Sequence, residues 1–264
     1  MPAAEASHWR RWLALTWLFA RQDLGARLRD NLIGSAWLLL SPLLQLAVFY
    51  FIFLHVFRAR VPGLEGTGYL AFLALAFWPW FAFSEAVARS TSALPDHAAL
   101  IGKVALPRSA LVASRTLAAF ALHGVGFVFV LALLPAFGIA LTWQGLPPAI
   151  ALWLVLLLLA FGLGLLTAAT QVFVRDTGTI VGHLLQALFF LTPILYSREM
   201  VPELMRAVLD ANPLTGLVGG IRGLLLGSPP ATEAWVASLV ATAVILAAGI
   251  FVFRRCDRHF EDYL

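Results

Sequence analysis

The sequence predicts an all-α integral membrane protein of six transmembrane helices, with an amphipathic helix before the first span, a short cytoplasmic helix between spans two and three, and an outer re-entrant hairpin between spans five and six. Three observations carry that prediction. From Thr116 to Val174 the chain runs 59 residues without Asp, Glu, Lys or Arg. A charge at the centre of a bilayer helix costs about 2.5 to 3.5 kcal/mol on insertion scales, so such a run reads as two spans joined by a hairpin. Apolar residues make up 61% of the chain and charged residues only 12%, half the share of an ordinary soluble domain, and mean hydropathy is +0.88. Finally, 13 of the 18 basic residues fall in alternate loops and both ends, which places both termini in the cytoplasm by the positive-inside rule.

The elements follow in order, within a single domain over 1–264. Over 8–30, Trp9, Leu13, Trp17, Ala20, Leu24 and Leu28 recur every three or four residues, with Arg11, Gln22, Gly25 and Arg29 opposite and Arg27 off-pattern; this is a helix for the membrane surface or for packing on the protein's own loops. The basic residues here interrupt any compact apolar run, and no small-residue cleavage site follows, so the N-terminus is expected to be retained. Charge-poor windows of the length a bilayer needs place the spans at 31–57, 66–88, 110–134, 147–173, 177–197 and 234–253. Leu134-Pro135, Trp143-Gln144-Gly145 and Leu146-Pro147-Pro148 mark the hairpin between spans three and four.

Two loops are irregular. Pro95 to Lys103 reads as a short helix begun by one proline and ended before Pro107, and its Leu100 and Ile101 call for burial against either the bundle or a partner protein. In the fifth loop, Val201, Leu204, Met205, Val208 and Leu209 form an apolar stripe ended by Asn212-Pro213. Leu214 to Leu226 is then apolar but too short to cross a bilayer, which fits a re-entrant or surface-lying segment.

The chemistry is that of a passive conduit. There is no phosphate loop, serine elbow or metal-spaced His/Glu pair, so the chain is not an enzyme. No metal or cofactor is expected within it, and nothing points to nucleic acid. Glu85 is read as a local pair with Arg89 one turn on; His55, His123, His183, Gln45, Gln171 and Gln186 as interhelical hydrogen-bonding residues; Trp78 and Trp80 as interfacial anchors; and Cys256 as a passive thiol. Tyr196 beside Pro193 is the better candidate for facing a permeation path, where an aromatic face can stack on sugar rings.

Particular stretches resemble a family. Arg27 to Pro42 resembles the entry to the first span of ABC-2 type permeases of the polysaccharide exporter group (O-antigen, capsule, teichoic acid). Arg175-Asp176 opening span five, Thr192-Pro193-Ile194-Leu195-Tyr196 closing it, and Asn212-Pro213-Leu214-Thr215 followed by Arg222 resemble its later signatures in the same order. The loop with Asp96, Leu100, Ile101, Lys103, Pro107 and Arg108 resembles the coupling helix that docks on an ATPase, departing at Gly102 and Leu106. The resemblance implies an inner-membrane permease for a lipid-linked polysaccharide, assembled as two permeases and two ATP-binding subunits, with ATP and Mg in those subunits. Pro193, Tyr196, Asn212, Pro213 and Arg222 become candidates for the path or its outer gate. Arg27 and Arg29, at the cytoplasmic edge, become candidates for the lipid-linked pyrophosphate, since arginine binds phosphate oxygens in a fork; topology and anionic lipid offer the other role. A drug, haem or small-lipid exporter is the alternative within transport, and a membrane-bound transferase is disfavoured by the lack of clustered acids.

Overall fold

The computed structural model describes residues 2–29, 34–56, 68–228 and 232–263, with the side chains of 2–8, 28–29, 34–36, 38–39 and 232–233 outside the description. Among the described residues there is no strand. The helices are α1 (Pro2–Arg29), α2 (Gly34–Phe51, continued by a π turn Ile52–Val56), α3 (Gly68–Thr91), α4 (Ala98–Ile101), α5 (Ser109–Leu133), α6 (Leu146–Phe173), α7 (Thr177–Leu191), α8 (Glu203–Ala211), α9 (Pro213–Leu226), α10 (Thr232–Cys256) and α11 (Phe260–Tyr263). Four stretches are long and apolar enough to cross a membrane: Gly68–Thr91, Ser109–Phe137, Trp143–Phe173 and Ala234–Tyr263. Leu40–Val56, Thr177–Leu191 and Pro213–Leu226 are shorter apolar helices.

α3 is the axis of the bundle, packed against α2, α5, α6, α7 and α9. Its side chains are therefore buried all round, and Trp78 and Trp80, expected as interfacial anchors, are only 1% and 5% exposed. Central placement overrides the usual preference of tryptophan for the interface. The exposed tryptophans among the described residues lie elsewhere, at Trp9, Trp17, Trp37 and Trp143. α6 and α10 touch backbone to backbone: a Cβ at Gly249 would lie 2.4 Å from the Gly162 carbonyl oxygen, and one at Gly162 would lie 2.8 Å from Leu246 Cα. Where lipid gives no hydrophobic drive between helices, such close approach supplies the contact.

One boundary differs from the sequence reading. The helix expected over 177–197 ends at Leu191, because the ring of Pro193 disfavours helical backbone at the residue before it, and Thr192 is extended (φ −104°, ψ 132°). At 15 residues, α7 is about 22 Å long, short of a hydrocarbon core of about 30 Å. The segment Leu214 to Leu226, expected as re-entrant or surface-lying, is helix α9 with one face buried through Leu214, Leu217, Val218, Ile221 and Leu225, wedged between α3, α6 and α10. Its C-terminal end meets the α5–α6 hairpin, where the Thr142 amide donates to the Leu225 carbonyl at 2.8 Å.

Candidate functional site

The end of the bundle that carries both termini is organised by α1. Its inward stripe is Trp12, Thr16, Ala20, Asp23 and Arg27 at helical spacing, while Trp9, Leu13 and Trp17 are exposed on the other side. One face of α1 thus packs on the bundle, and its apolar face with Trp9, Leu13 and Trp17 is turned outward. Trp12 donates to Ser109 Oγ at 3.0 Å, and Arg11 donates to the Ala105 carbonyl at 2.7 Å.

The polar part of that stripe is the hub of an ion network. Asp23 Oδ1 accepts from Arg89 at 2.5 Å and from Arg115, and Asp23 Oδ2 pairs with Arg27 at 3.1 Å. Arg27 reaches on to donate to Glu85 Oε1 at 2.5 Å, and His123 Nε2 lies 2.7 Å from Glu85 Oε2. Arg115 also donates to Asp96 at 3.2 Å, which Ser92 steadies at 2.9 Å. Three carboxylates and three guanidinium groups balance within one contiguous chain running from the turn after Pro95 to the middle of α5. The expected pair of Glu85 with Arg89 is present at 4.0 Å, but Arg27 and His123 approach Glu85 more closely. Arg27 looked off-pattern because the inward face of α1 is charged, and its side chain is 9% exposed. A guanidinium so engaged is poorly placed to take a phosphate. The side chain of Arg29 lies outside the described residues.

Glu85 and His123 also face a cavity of about 460 Å³ between α2, α3, α5 and α7, bordered by Trp37, Gln45, Phe81 and Leu185. Phe49, Phe77, Trp80 and Phe189 meet close by, with centroid separations of 5.6–5.7 Å. Of the expected interhelical hydrogen bonds, only that of His123 forms across helices among the described residues. Gln171 donates locally to the Arg175 carbonyl at 2.9 Å, and His55, His183, Gln186 and Gln45 are exposed.

The turn after Pro95 folds as a 3-10 turn Pro95–His97 followed by α4. Ile101 is 4% exposed in a satellite core with Leu94, Leu111, Leu165, Phe253 and Phe260, so it anchors the turn rather than presenting itself to a partner. Leu100 is half-buried, and the exposed tip is Gly102, Lys103, Val104 and Ala105. Half-buried Pro107 leads into Arg108, which donates to the Asp257 carbonyl and Glu261 and pairs with the Asp257 carboxylate at 3.1 Å, pinning the chain end beside the turn. A cavity of about 1240 Å³ opens here, among Trp9, Trp12, Lys103, Phe161, Ile250 and Glu261. Arg175 and Asp176 form the exposed α6–α7 turn, where the Asp176 carbonyl accepts from the Ile180 amide at 3.0 Å.

At the opposite end the structure brings together the residues that the sequence singled out around Pro193. The non-helical segment 192–197 is held from three sides. Arg222 of α9 donates to the Pro193 carbonyl at 2.9 Å and lies 3.6 Å from the centroid of the Phe72 ring. Tyr69 of α3 donates to the Leu195 carbonyl at 2.9 Å. Asn212 donates to Thr192 Oγ1 at 3.0 Å, while its own carbonyl oxygen caps α9 at the Leu214 amide, with Pro213 in the first helical turn where its missing N–H costs nothing. Tyr196 folds back to donate to the Phe190 carbonyl at 2.7 Å. Outside these spans, Arg198 holds Asp210 in a two-pronged pair, which pulls the Asp210 carboxyl below its ordinary value. Sequence reasoning missed Tyr69, Asp23 and Arg115 as members of these sites; the Asp23–Arg27 spacing of four on one helix was the available signal. No group of three or more His, Cys, Asp or Glu suited to a metal occurs among the described residues.

The described residues form an all-helical bundle with four helices long and apolar enough to cross a membrane, held by ion pairs at one end and by a clamped break in a helix at the other. The chain belongs to the ABC-2 type transporter family, whose model matches residues 14–226, from the inward stripe of α1 to the last residue of α9. It is 28% identical over 255 residues to an O-antigen export system permease protein RfbA from Klebsiella pneumoniae, covering 94% of this chain and 93% of that one. It is 30% identical over 248 residues to the protein of the same description from Myxococcus xanthus, covering 92% of each.

Proposed function

We propose that this chain is the permease subunit of an exporter that moves a lipid-linked polysaccharide of the O-antigen kind across the inner membrane. The observation that carries the reading is end-to-end similarity to O-antigen export permeases from two organisms, within a family of transporters. The energy comes from a separate ATP-binding subunit, since no phosphate loop occurs in the sequence. The exposed tip Gly102–Ala105, beside the cavity at the terminal end, is the place for it to dock, with Asp96, Ile101 and Arg108 holding the turn in shape and Lys103 reaching outward.

Six spans then cross the membrane with both termini cytoplasmic, α2 and α7 completing the four longer helices. Two copies flank the path. Gln45 on α2 and His183 and Gln186 on α7 are exposed on helices that lipid would surround, and polar groups at that depth face a partner or water. Pro193, Tyr196, Asn212, Pro213 and Arg222 form the outer constriction. Deletion of the gene in its host tests the reading: polymer accumulates inside the cell and disappears from the surface. Unchanged surface glycan, with ATPase activity stimulated by small amphiphiles, overturns it in favour of a small-molecule exporter.

A further inference from the structure

Arg254 and Arg255 in the last turn of α10, and Arg258 in the 3-10 turn Asp257–His259 that follows it, differ from the arginines of the ion pairs at this end. Arg27, Arg89, Arg108 and Arg115 are all paired with carboxylates. Arg254, Arg255 and Arg258 are exposed, and none forms an ion pair among the described residues. The carboxylates nearest in sequence, Asp257 and Glu261, are held by Arg108. The three share a concave face of about 750 Å³ with Ala247, Ile250, Phe251 and His259. From Ala247, the positions as far as Arg255 follow at three, four, seven and eight residues, one face of α10, and Arg258 and His259 extend it in the 3-10 turn Asp257–His259. The half toward the bilayer is apolar, Phe251 being 70% exposed, and the half toward the chain end is basic. Such a face matches one ligand geometry: an acyl chain lying along Ile250 and Phe251 with its phosphate in the arginine cluster.

We propose that this face binds an anionic glycerophospholipid of the bilayer, and that three guanidinium groups select a two-phosphate headgroup over a one-phosphate one. Arginine is the suitable residue because its planar fork takes two phosphate oxygens at once, and basic pockets at a helix end concentrate such headgroups. The site is separate from the ion network and from the clamp at Pro193 and borders the cavity beside Lys103 through Ile250 and Arg254, and lipid binding to the purified chain alone is read independently of what the protein exports.

The full chain, purified in detergent and titrated with diphosphatidylglycerol, phosphatidylglycerol or phosphatidylethanolamine, is read by native mass spectrometry. Retention is expected to fall in that order. Replacement of all three residues, R254Q/R255Q/R258Q, is expected to weaken diphosphatidylglycerol binding about fivefold per arginine, on the order of a hundredfold in all. The R254K/R255K/R258K variant recovers part of it, the share that charge alone supplies, which separates charge from misfolding. R10Q/R21Q, at exposed arginines on α1, leaves it unchanged. Equal retention of the three lipids, or a glutamine variant that folds and holds diphosphatidylglycerol like the parent, overturns the proposal. So does loss of a co-purifying protein from that variant while lipid retention stays intact, which makes the face a protein contact.

Discussion

Asp23→Asn is the sharpest test of the ion network. The substitution keeps the shape of the side chain and removes one negative charge from a carboxylate that meets Arg27, Arg89 and Arg115 while itself only 10% exposed. Breaking a buried pair by removing one partner costs about 3–5 kcal/mol, most of it the desolvation of the cations left behind. Here three guanidinium groups would face only Glu85 and Asp96. Chains of this size lose about 2–4 °C of melting temperature per kcal/mol, so the expected fall is about 10 °C in the apparent unfolding temperature of the detergent-purified protein. The design includes its own compensation: D23N/R115Q restores the balance of charge and should lose less than the sum of the two single variants, by about 1–3 kcal/mol of coupling. A fall below about 3 °C, or strict additivity, would show that the pairs are solvated and that α1 is held by packing alone.

Four further outcomes are expected. Arg222→Gln removes a charged hydrogen bond worth about 1.5–3 kcal/mol and the contact with Phe72, worth about 0.5–2 kcal/mol; segment 192–197 should become protease-sensitive and surface polymer should fall, with Arg222→Lys restoring only part because it lacks the flat face. Gly249→Ala should lower thermal stability by driving a methyl into the Gly162 carbonyl, whereas Gly219→Ala, with nothing within 4 Å of the added Cβ, should be neutral or gain up to about 1 kcal/mol of helix propensity. In a Cys256→Ser background, a membrane-impermeant thiol reagent should label Val104→Cys in inverted but not right-side-out vesicles; labelling in right-side-out vesicles alone reverses the topology. Asp210→Asn should cost under about 1 kcal/mol because its pair with Arg198 is exposed. Since that carboxyl titrates lower in the folded protein, the small contribution is present above the unfolded value of about 3.9 and lost as pH falls through the folded one, checked by melting curves of parent and variant at neutral and acid pH.

How much of this was legible follows from what each kind of signal encodes. The charge-free run from Thr116 to Val174 fixes two helices because lipid penalises every alternative, and α5 and α6 lie where the sequence puts them. Asn212-Pro213 announced the end of a helix, and α8 ends there, whereas the break that Pro193 imposes after Leu191 went unread and span five was carried through to 197. What stayed hidden is which face of an apolar helix meets protein and which meets lipid. Both solvents accept tryptophan, so Trp78 and Trp80 carry no label of their own, and only the central position of α3 buries them. The partners of charged residues were hidden for a related reason. Arg89 and Glu85 are one helical turn apart, the pairing that sequence spacing favours, but Asp23 arrives from α1, 66 residues away from Arg89, and takes the arginine.

The two held regions differ in how they resist displacement. At the terminal end, α1 is tied to α3 and α5 through side-chain ions, and the same ions continue through Asp96 into the turn after Pro95. The ions that tie α1 to α3 and α5 through Asp23 lie in a poorly hydrated place, where screening by salt is weak, so these helices shift together, and the turn is tied to them through Asp96, whose side chain is 45% exposed. At the other end the ties to 192–197 are hydrogen bonds from Arg222, Tyr69 and Asn212 onto backbone carbonyls and a hydroxyl, each worth about 0.5–3 kcal/mol and each replaceable by water or by hydroxyl groups of a passing ligand. Under the proposed function, a device that transmits force with little yielding suits the end at which the ATP-binding subunit would dock. A constriction must let go and re-form, and bonds that water or a polymer's hydroxyls can substitute meet that requirement, whereas a buried ion network in the same place would not reopen.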